Sequence, residues 1–449
     1  MGSFVSSRTL NEYPRGAHRW TLLGLTVLAT ILASFEFQLA PILPIILPYL
    51  HMSHTGYGFF VMFAVLIAGV SAFFGGPLAD RYGRVMLIDA SLGVVCILIF
   101  ANLLIVNIAT FVIVRASMAI VGGLMAGAGA ALVRDMSPRL SRALAFGFFT
   151  IGPVGANWLA NFIAGATLPI YHTWQSQIWI TGFLGLAMYL PILLWLKDLS
   201  PVLRLQIFKT EIASMEAEGR RTPKAAELPA STRDAFAKLL VHSEVWILVL
   251  GMCANLTLYI AIQSFGPLML TEAFKDSAAE ANRVTSYFWL ANLLVLITTG
   301  YVSDRLQVRK PIAVIGATLA TILMAVWAPM FTHGATSATL ALVATLMGCF
   351  LAIGYVPWAA QFSETLEDIS PALQATGWAF FGLALRAWIA ISAPLMLYIA
   401  AHHGWGIWIE ISLVAMTLYI TSLFFTRDRA AATRQVAIAS PAVRPATAK

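Results

Sequence analysis

Twelve stretches of this sequence stay apolar for about twenty residues or more, and that repetition restricts the chain more than any motif in it. A helix of about twenty apolar residues crosses a bilayer, and in lipid the backbone must satisfy its own hydrogen bonds, which a helix does internally. The stretches lie near 20–48, 57–79, 85–106, 108–133, 143–168 and 178–196, then near 245–271, 283–301, 311–331, 338–361, 375–400 and 405–426. Only 11% of the 449 residues are charged, against about 25% in soluble domains. An ordinary soluble protein is excluded, and the expected fold is an all-α integral membrane protein with twelve transmembrane helices.

The formal charge of +7 is accounted for by topology. With a cytoplasmic N-terminus, 24 of the 28 Lys and Arg residues fall in cytoplasmic segments, and the other four are Arg115, Lys275, Arg283 and Arg386. This is the positive-inside pattern. It puts both termini in the cytoplasm and leaves no case for a nucleic-acid partner. Cys96, Cys253 and Cys349 all lie in apolar runs, so neither a disulfide framework nor a CxxC metal site is expected. The apolar run after Arg19 is too long for a cleavable signal and reads as the first membrane helix.

A short polar knot between the second and third stretches organises the chain. It runs Gly75-Gly76-Pro77-Leu78-Ala79-Asp80-Arg81-Tyr82-Gly83-Arg84, and a degraded copy, Gly300-Tyr301-Val302-Ser303-Asp304-Arg305-Leu306-Gln307-Val308-Arg309-Lys310, follows the eighth stretch. The chain reads as one unit written twice. The expected units are a cytoplasmic N-terminus (1–19), a first six-helix bundle (20–196), a charged cytoplasmic loop (197–243), a second bundle (244–426) and a disordered cytoplasmic tail (427–449). Short surface helices are expected in the loop near 203–219 and 231–240.

These features resemble the major facilitator superfamily of secondary transporters, over about residues 19–426. Gly76, Leu78, Ala79, Asp80, Arg81, Gly83 and Arg84 match the superfamily pattern G-x-L-A-D-R-x-G-R, and Asp198-Leu199-Ser200-Pro201 is similar to its usual exit from the first half. The resemblance implies alternating access, with Gly76, Asp80, Arg81, Gly83 and Arg84 of the first knot and Asp304 and Arg305 of the second acting as a gating motif. Gly76 lets a neighbouring helix approach closely, and Asp80 is suited to a helix N-terminus, where the macrodipole favours an anion. By resemblance that partner is the start of the eleventh helix, near Pro371 to Gly377. A loop anchor to lipid headgroups is the plainer alternative.

Ionisable residues inside spanning helices are expensive and mostly functional. Glu36 lies 17 residues beyond Arg19, about 25 Å along a helix at 1.5 Å per residue, and can load and release a proton. Arg115 in the fourth stretch is its candidate counter-charge, because proton-coupled members of the superfamily pair an acid in helix 1 with an arginine in helix 4. Ala119 stands where that helix usually carries glycine. Arg386, mid-way along the eleventh stretch, cannot be neutralised, so either a substrate carboxylate or an internal ion pair must satisfy it.

Polar residues at helical spacing outline a cavity: Asn255, Tyr259 and Gln263, then Asn157 and Asn161, with Asn292, Tyr355 and Trp358. In lipid such faces turn towards protein or water, and interhelical hydrogen bonding accounts for each as readily as ligand contact. The leading function is secondary active transport of a small organic anion, a carboxylate or sugar acid, by proton symport at the cell inner membrane. The transporter is expected to be monomeric and to use the proton gradient rather than a cofactor. Gly152-Pro153-Val154-Gly155 resembles part of the drug-proton antiporter motif and supports drug export as the alternative. A non-transporting sensor is a minor one. No nucleotide-loop, zinc-hydrolase or serine-hydrolase motif is present, so an enzyme is not expected.

Overall fold

Prolines at 41 and 44 interrupt the first membrane segment, and Pro48 falls inside the short helix that follows. In the computed structural model, which describes residues 8–136, 142–200, 202–204, 206, 232–370 and 373–428, helix α1 (Gly16–Ala33) ends at Ser34. A 3-10 segment then covers Phe35–Ile42, and a short helix α2 covers Leu43–Tyr49. The continuous helix expected over 20–48 is therefore corrected to three pieces. A proline has no N–H to give to the preceding turn and its ring clashes there, so the regular ladder cannot pass through.

The remaining helices are α3 (His54–Tyr82), α4 (Arg84–Ala101), α5 (Ile108–Met136), α6 (Arg142–Tyr171) and α7 (Trp174–Trp195) in the first half. A surface helix α8 (Thr232–Val241) leads into the second half, built of α9 (Ser243–Phe274), α10 (Ala278–Leu306), α11 (Lys310–Trp327), α12 (Met330–His333), α13 (Ser337–Ile369), α14 (Gln374–His403) and α15 (Trp405–Phe424). Eleven of the segments are long and apolar enough to cross a membrane. To these α6 adds 30 residues packed on α1, on the 3-10 segment and on α10. The chain is a multi-pass membrane protein. The tail beyond 428 and most of the central loop lie outside the described residues.

The two halves meet along two extensive helix pairs. Knot-bearing α3 packs on α14 of the other half, and α10, which ends in the second knot, packs on α6. The 3-10 segment packs against both α6 and α9, so the break in the first segment sits where the halves meet. A parallel two-stranded pairing of β1 (Thr9–Leu10) with β2 (Asp198–Leu199) ties the start of the first half to its exit. Beside it Arg8 forms an ion pair with the buried Asp89 of α4 and donates to the carbonyl of Leu193 at 2.5 Å.

Candidate translocation site

At the end carrying the knots, the two copies close in the same way. Gly83 adopts φ +95°, a conformation that favours glycine, and so turns the chain sharply from α3 into α4. There Asp198 Oδ2 accepts from the N–H of Arg84 at 3.0 Å and caps α4. In the second half Asp428 Oδ2 accepts from the N–H groups of Arg309 and Lys310, at 3.3 and 3.0 Å, and caps α11. An acidic side chain arriving from the end of each half thus neutralises the positive end of that half's third helix. Asp198 was visible in the sequence as an exit motif; Asp428 was not, because Arg427-Asp428 shares only the acid with it.

The close approach expected at Gly76 occurs one residue earlier. A Cβ on Gly75 would fall 2.3 Å from the carbonyl oxygen of Leu124, whereas Gly76 faces open space. Along the same α3–α5 contact, a Cβ on Gly123 would meet the carbonyl of Ala68, also at 2.3 Å. Arg81 is exposed and lies 5.2 Å from the centroid of the Tyr82 ring. The Asp80 side chain and Pro371 lie outside the described residues, and with them the expected contact between the knot and α14.

In the second knot the buried cation is Arg309 rather than Arg305. Arg309 is 3% exposed and bonds Asp304 at 2.9 Å, Glu364 of α13 at 3.1 Å and Ser303 Oγ at 2.8 Å. Arg305 is exposed and reaches only the Tyr301 hydroxyl among the bonds described, at 3.3 Å. Glu364 escaped the sequence reading because α13 runs to Ile369, eight residues past the expected end at 361.

The opposite end is sealed between the halves. A Cβ on Gly58 would fall 2.7 Å from Cα of Pro394, and one on Gly165 would fall 3.0 Å from the nitrogen of Arg283. Tyr57 packs edge-on against Phe265, and Asn282 Nδ2 donates to the Pro41 carbonyl at 2.8 Å. His54 of α3 pairs with Glu272 of α9 at 2.5 Å, and Glu272 also accepts from Trp405 Nε1 at 2.7 Å. Neither His54 nor Glu272 stood out in the sequence, since each sits at the margin of an apolar run.

Between the two ends lie the membrane-embedded candidates. Arg386 is half-buried at the crossing of α14 and α3: its Cδ would be 3.3 Å from a Cβ on Gly69, and its Nη1 lies 3.5 Å from the Gly382 carbonyl. The absence of a side chain at Gly69 gives the guanidinium stem its room. Arg115 donates to the sulfur of Met118 at 3.3 Å and acts electrostatically on the buried Tyr57 hydroxyl. Glu36 lies on the 3-10 segment, and its side chain is outside the described residues, so its expected pairing with Arg115 is too.

The cavity residues fall into two groups. Trp358 is fully buried, donates to the Leu248 carbonyl at 3.1 Å and stacks on Phe362, so it holds α13 to α9. Asn292 donates to the Gly348 carbonyl at 2.9 Å and joins α10 to α13 in the same manner, although its amide oxygen is without a hydrogen-bond partner among the described residues. Tyr355 instead hydrogen-bonds with Thr150 of α6, across the two halves. Tyr259 sits edge-on to Trp289 at 5.3 Å, with Gln263 one turn further along α9 and partly exposed. Asn157 and Asn161 of α6 and Asn255 of α9 are almost wholly buried, and among the described residues each carboxamide oxygen is without a hydrogen-bond partner. Gln38, which the apolar pattern does not single out, is 4% exposed on the 3-10 segment, with neither amide atom partnered among the described residues.

Comparison with known proteins bears on this arrangement. The family model described as Major Facilitator Superfamily matches residues 25–366. A gallate transporter of Pseudomonas putida is 21% identical over 318 residues, covering 68% of this chain and 70% of that protein. A probable hexose phosphate transport protein of Chlamydia pneumoniae is 23% identical over 277 residues, covering 52% of this chain and 60% of that protein. The multidrug resistance protein MdtG of Enterobacter lignolyticus is 28% identical over 206 residues, covering 43% of this chain and 48% of that protein.

Proposed function

Since the chain belongs to the Major Facilitator Superfamily, whose members are transporters rather than enzymes, we propose that it carries a small organic anion across the cell inner membrane by proton-coupled alternating access. The observation that carries this reading is Arg386, a permanent cation on a helix of the second half, set against a glycine of the first. A guanidinium there can hold a carboxylate where the two halves meet. Movement of the halves about that site then exposes it to either side in turn. The relatives named for gallate and for hexose phosphate, both anions, agree with an anionic cargo.

In this reading the cargo and the proton use different residues. Glu36, on the 3-10 segment, takes up the proton, and Arg115 on α5 favours its release by stabilising the carboxylate. Hydrogen bonds across the halves, such as Tyr355 with Thr150, must break and reform during the cycle. The second reading, proton-driven drug export, is favoured by the multidrug relatives and by the Gly152-Pro153-Val154-Gly155 fragment.

The test is uptake into proteoliposomes holding the full chain, with carboxylates, sugar phosphates and cationic dyes offered in turn. Uptake of an anion should rise with an inward proton gradient. Glu36→Gln should abolish that rise while leaving exchange of preloaded substrate. Arg386→Ala should weaken anion binding by at least the roughly 1.5–3 kcal/mol of a charged hydrogen bond. Dye export with no anion uptake would refute the proposal in favour of the second reading.

A further inference from the structure

Several interior carboxamides have their orientation fixed by what they touch. Asn157 donates its amide nitrogen to the Pro153 carbonyl at 2.9 Å, and Asn161 donates to the Asn157 carbonyl at 2.8 Å. Asn282 donates to the carbonyls of Pro41 and Ala278, at 2.8 and 2.7 Å. A carbonyl can only accept, so the NH₂ of each amide must face it, and the amide oxygen is left pointing elsewhere as an acceptor. All three oxygens are buried and unpartnered among the described residues. Asn255 repeats the pattern, with its nitrogen on the Met252 sulfur at 3.3 Å and its oxygen unpartnered. Gln38 adds a fifth carboxamide, with neither its nitrogen nor its oxygen partnered among the described residues.

These groups gather around the 3-10 segment. Gly152 lies against Thr30 and Gly155 against Ile31, so α1 and α6 run side by side with an offset of 122 to 124 residues. Carried forward, that offset brings Gln38 to about the level of Asn161. Asn282 is tied to Pro41, three residues beyond Gln38. Asn157 lies one turn away on the same face of α6, whereas the Asn255 oxygen stands apart, beside Gly354 of α13 in the second half.

Buried polar atoms are normally hydrogen-bonded, and a set of orphaned acceptors gathered at the junction of two halves calls for donors. The acceptors are neutral amides, and the cation Arg386 lies at the other helix pair that joins the halves, α3 with α14. Neutral hydroxyl donors match neutral acceptors, whereas a buried ammonium group also calls for a charged partner. We infer that the carboxamides of Gln38, Asn157, Asn161 and Asn282 form a hydroxyl-binding subsite, so that the cargo is a hydroxylated organic anion. This rests on the anion reading above for the charge, and on the amide geometry alone for the hydroxyls.

The experiment measures binding to the purified full-length chain by thermal shift and calorimetry. The ligands are carboxylates in matched pairs, gluconate with hexanoate and dihydroxybenzoate with benzoate, alongside neutral sorbitol. At least one hydroxylated acid should bind about tenfold or more tighter than its partner, the discrimination expected from one or two buried hydrogen bonds. Gln38→Met, nearly isosteric and without a hydrogen bond to lose, should shrink that ratio several-fold while leaving the affinity of the unhydroxylated acid unchanged. Asn161→Leu should do the same, and if it fails to fold, Gln38→Met carries the test alone. Equal binding within every pair, or a preference that survives Gln38→Met, overturns the subsite and leaves the anion reading standing. Sorbitol binding that Gln38→Met weakens, with no acid bound, supports the subsite and overturns the anion reading.

Discussion

Replacing Arg309 with methionine would take a shared guanidinium away from two acids. The Arg309 side chain is 4% exposed, that of Asp304 9% and that of Glu364 16%, so all three are largely out of water. One guanidinium bonds both carboxylates and the Ser303 hydroxyl at 2.8–3.1 Å. Removing one partner of a buried ion pair costs about 3–5 kcal/mol, because the other charge stays behind unsolvated. Arg309→Met should therefore lower unfolding stability by about that amount, a large share of the roughly 5–15 kcal/mol that holds a folded domain. Arg309→Lys keeps the charge but loses the fork, so it should cost about 1.5–3 kcal/mol, one charged hydrogen bond. Arg305→Met, on an exposed side chain, should stay within about 0.5 kcal/mol. The assay is equilibrium unfolding of the purified protein in mixed micelles, with Glu364→Gln added in each background. The Glu364→Gln change should cost less in Arg309→Met than in the native chain, by at least about 1 kcal/mol, because there it no longer breaks the bond to the guanidinium. Additive losses, or an Arg309→Met protein as stable as the native one, would refute the idea that one buried arginine joins α10, α11 and α13.

Two further outcomes concern the sealed end. Glu272→Gln should weaken the contact with His54 and Trp405; because both charged groups are about a third exposed, the effect is about 1 kcal/mol, which shifts the population about fivefold towards opening there. A single cysteine at Tyr57, with the three native cysteines removed, should then react faster with a hydrophilic maleimide, and unchanged labelling would show that apolar packing alone holds that end. Burial, helped by Glu280 and opposed by the Ser337 hydroxyl, raises the Asp276 carboxyl above its ordinary value of 3.8. The fold thus binds that proton more tightly than the unfolded chain does, and the contribution is fully present below 3.8 and lost as pH rises through the folded value. Protection of the loop between α9 and α10 against hydrogen exchange, taken relative to the intrinsic exchange rate at each pH, should fall over that window, and Asp276→Asn should remove that fall.

The long apolar runs located the membrane helices well, because twenty consecutive apolar residues have few alternatives in lipid. Their ends were less legible. Glu364 and Glu272 lie just past expected boundaries, where a helix continues on polar residues that hydropathy reads as loop. Asp89 could have been found, since the rule that singled out Glu36 applies equally to an acid inside the third stretch. Its partner Arg8 is brought to it by the strand pairing of Thr9–Leu10, a contact between segments far apart in sequence. Periodicity identified Asn157, Asn161 and Asn255 as inward-facing polar residues. It could not separate them from Trp358, which donates to the Leu248 carbonyl and has no acceptor left over, since that distinction depends on the neighbour each side chain meets. Gln38 was hidden for another reason: the proline-rich run in which it lies reads as ordinary helix, and only the 3-10 break shows it to be a junction.

The caps on α4 and α11 also bear on how the chain is made. Arg84 and the Asp198 that satisfies its N–H are 114 residues apart, and Lys310 and Asp428 are 118 apart. At about 5–20 residues per second, the third helix of each half waits on the order of ten seconds for its cap to leave the ribosome. Each half is fastened by its own last residues rather than by the other half, so the first can be complete before the second is synthesised. The segment between them then sets when the halves meet, and severing it need not undo either one.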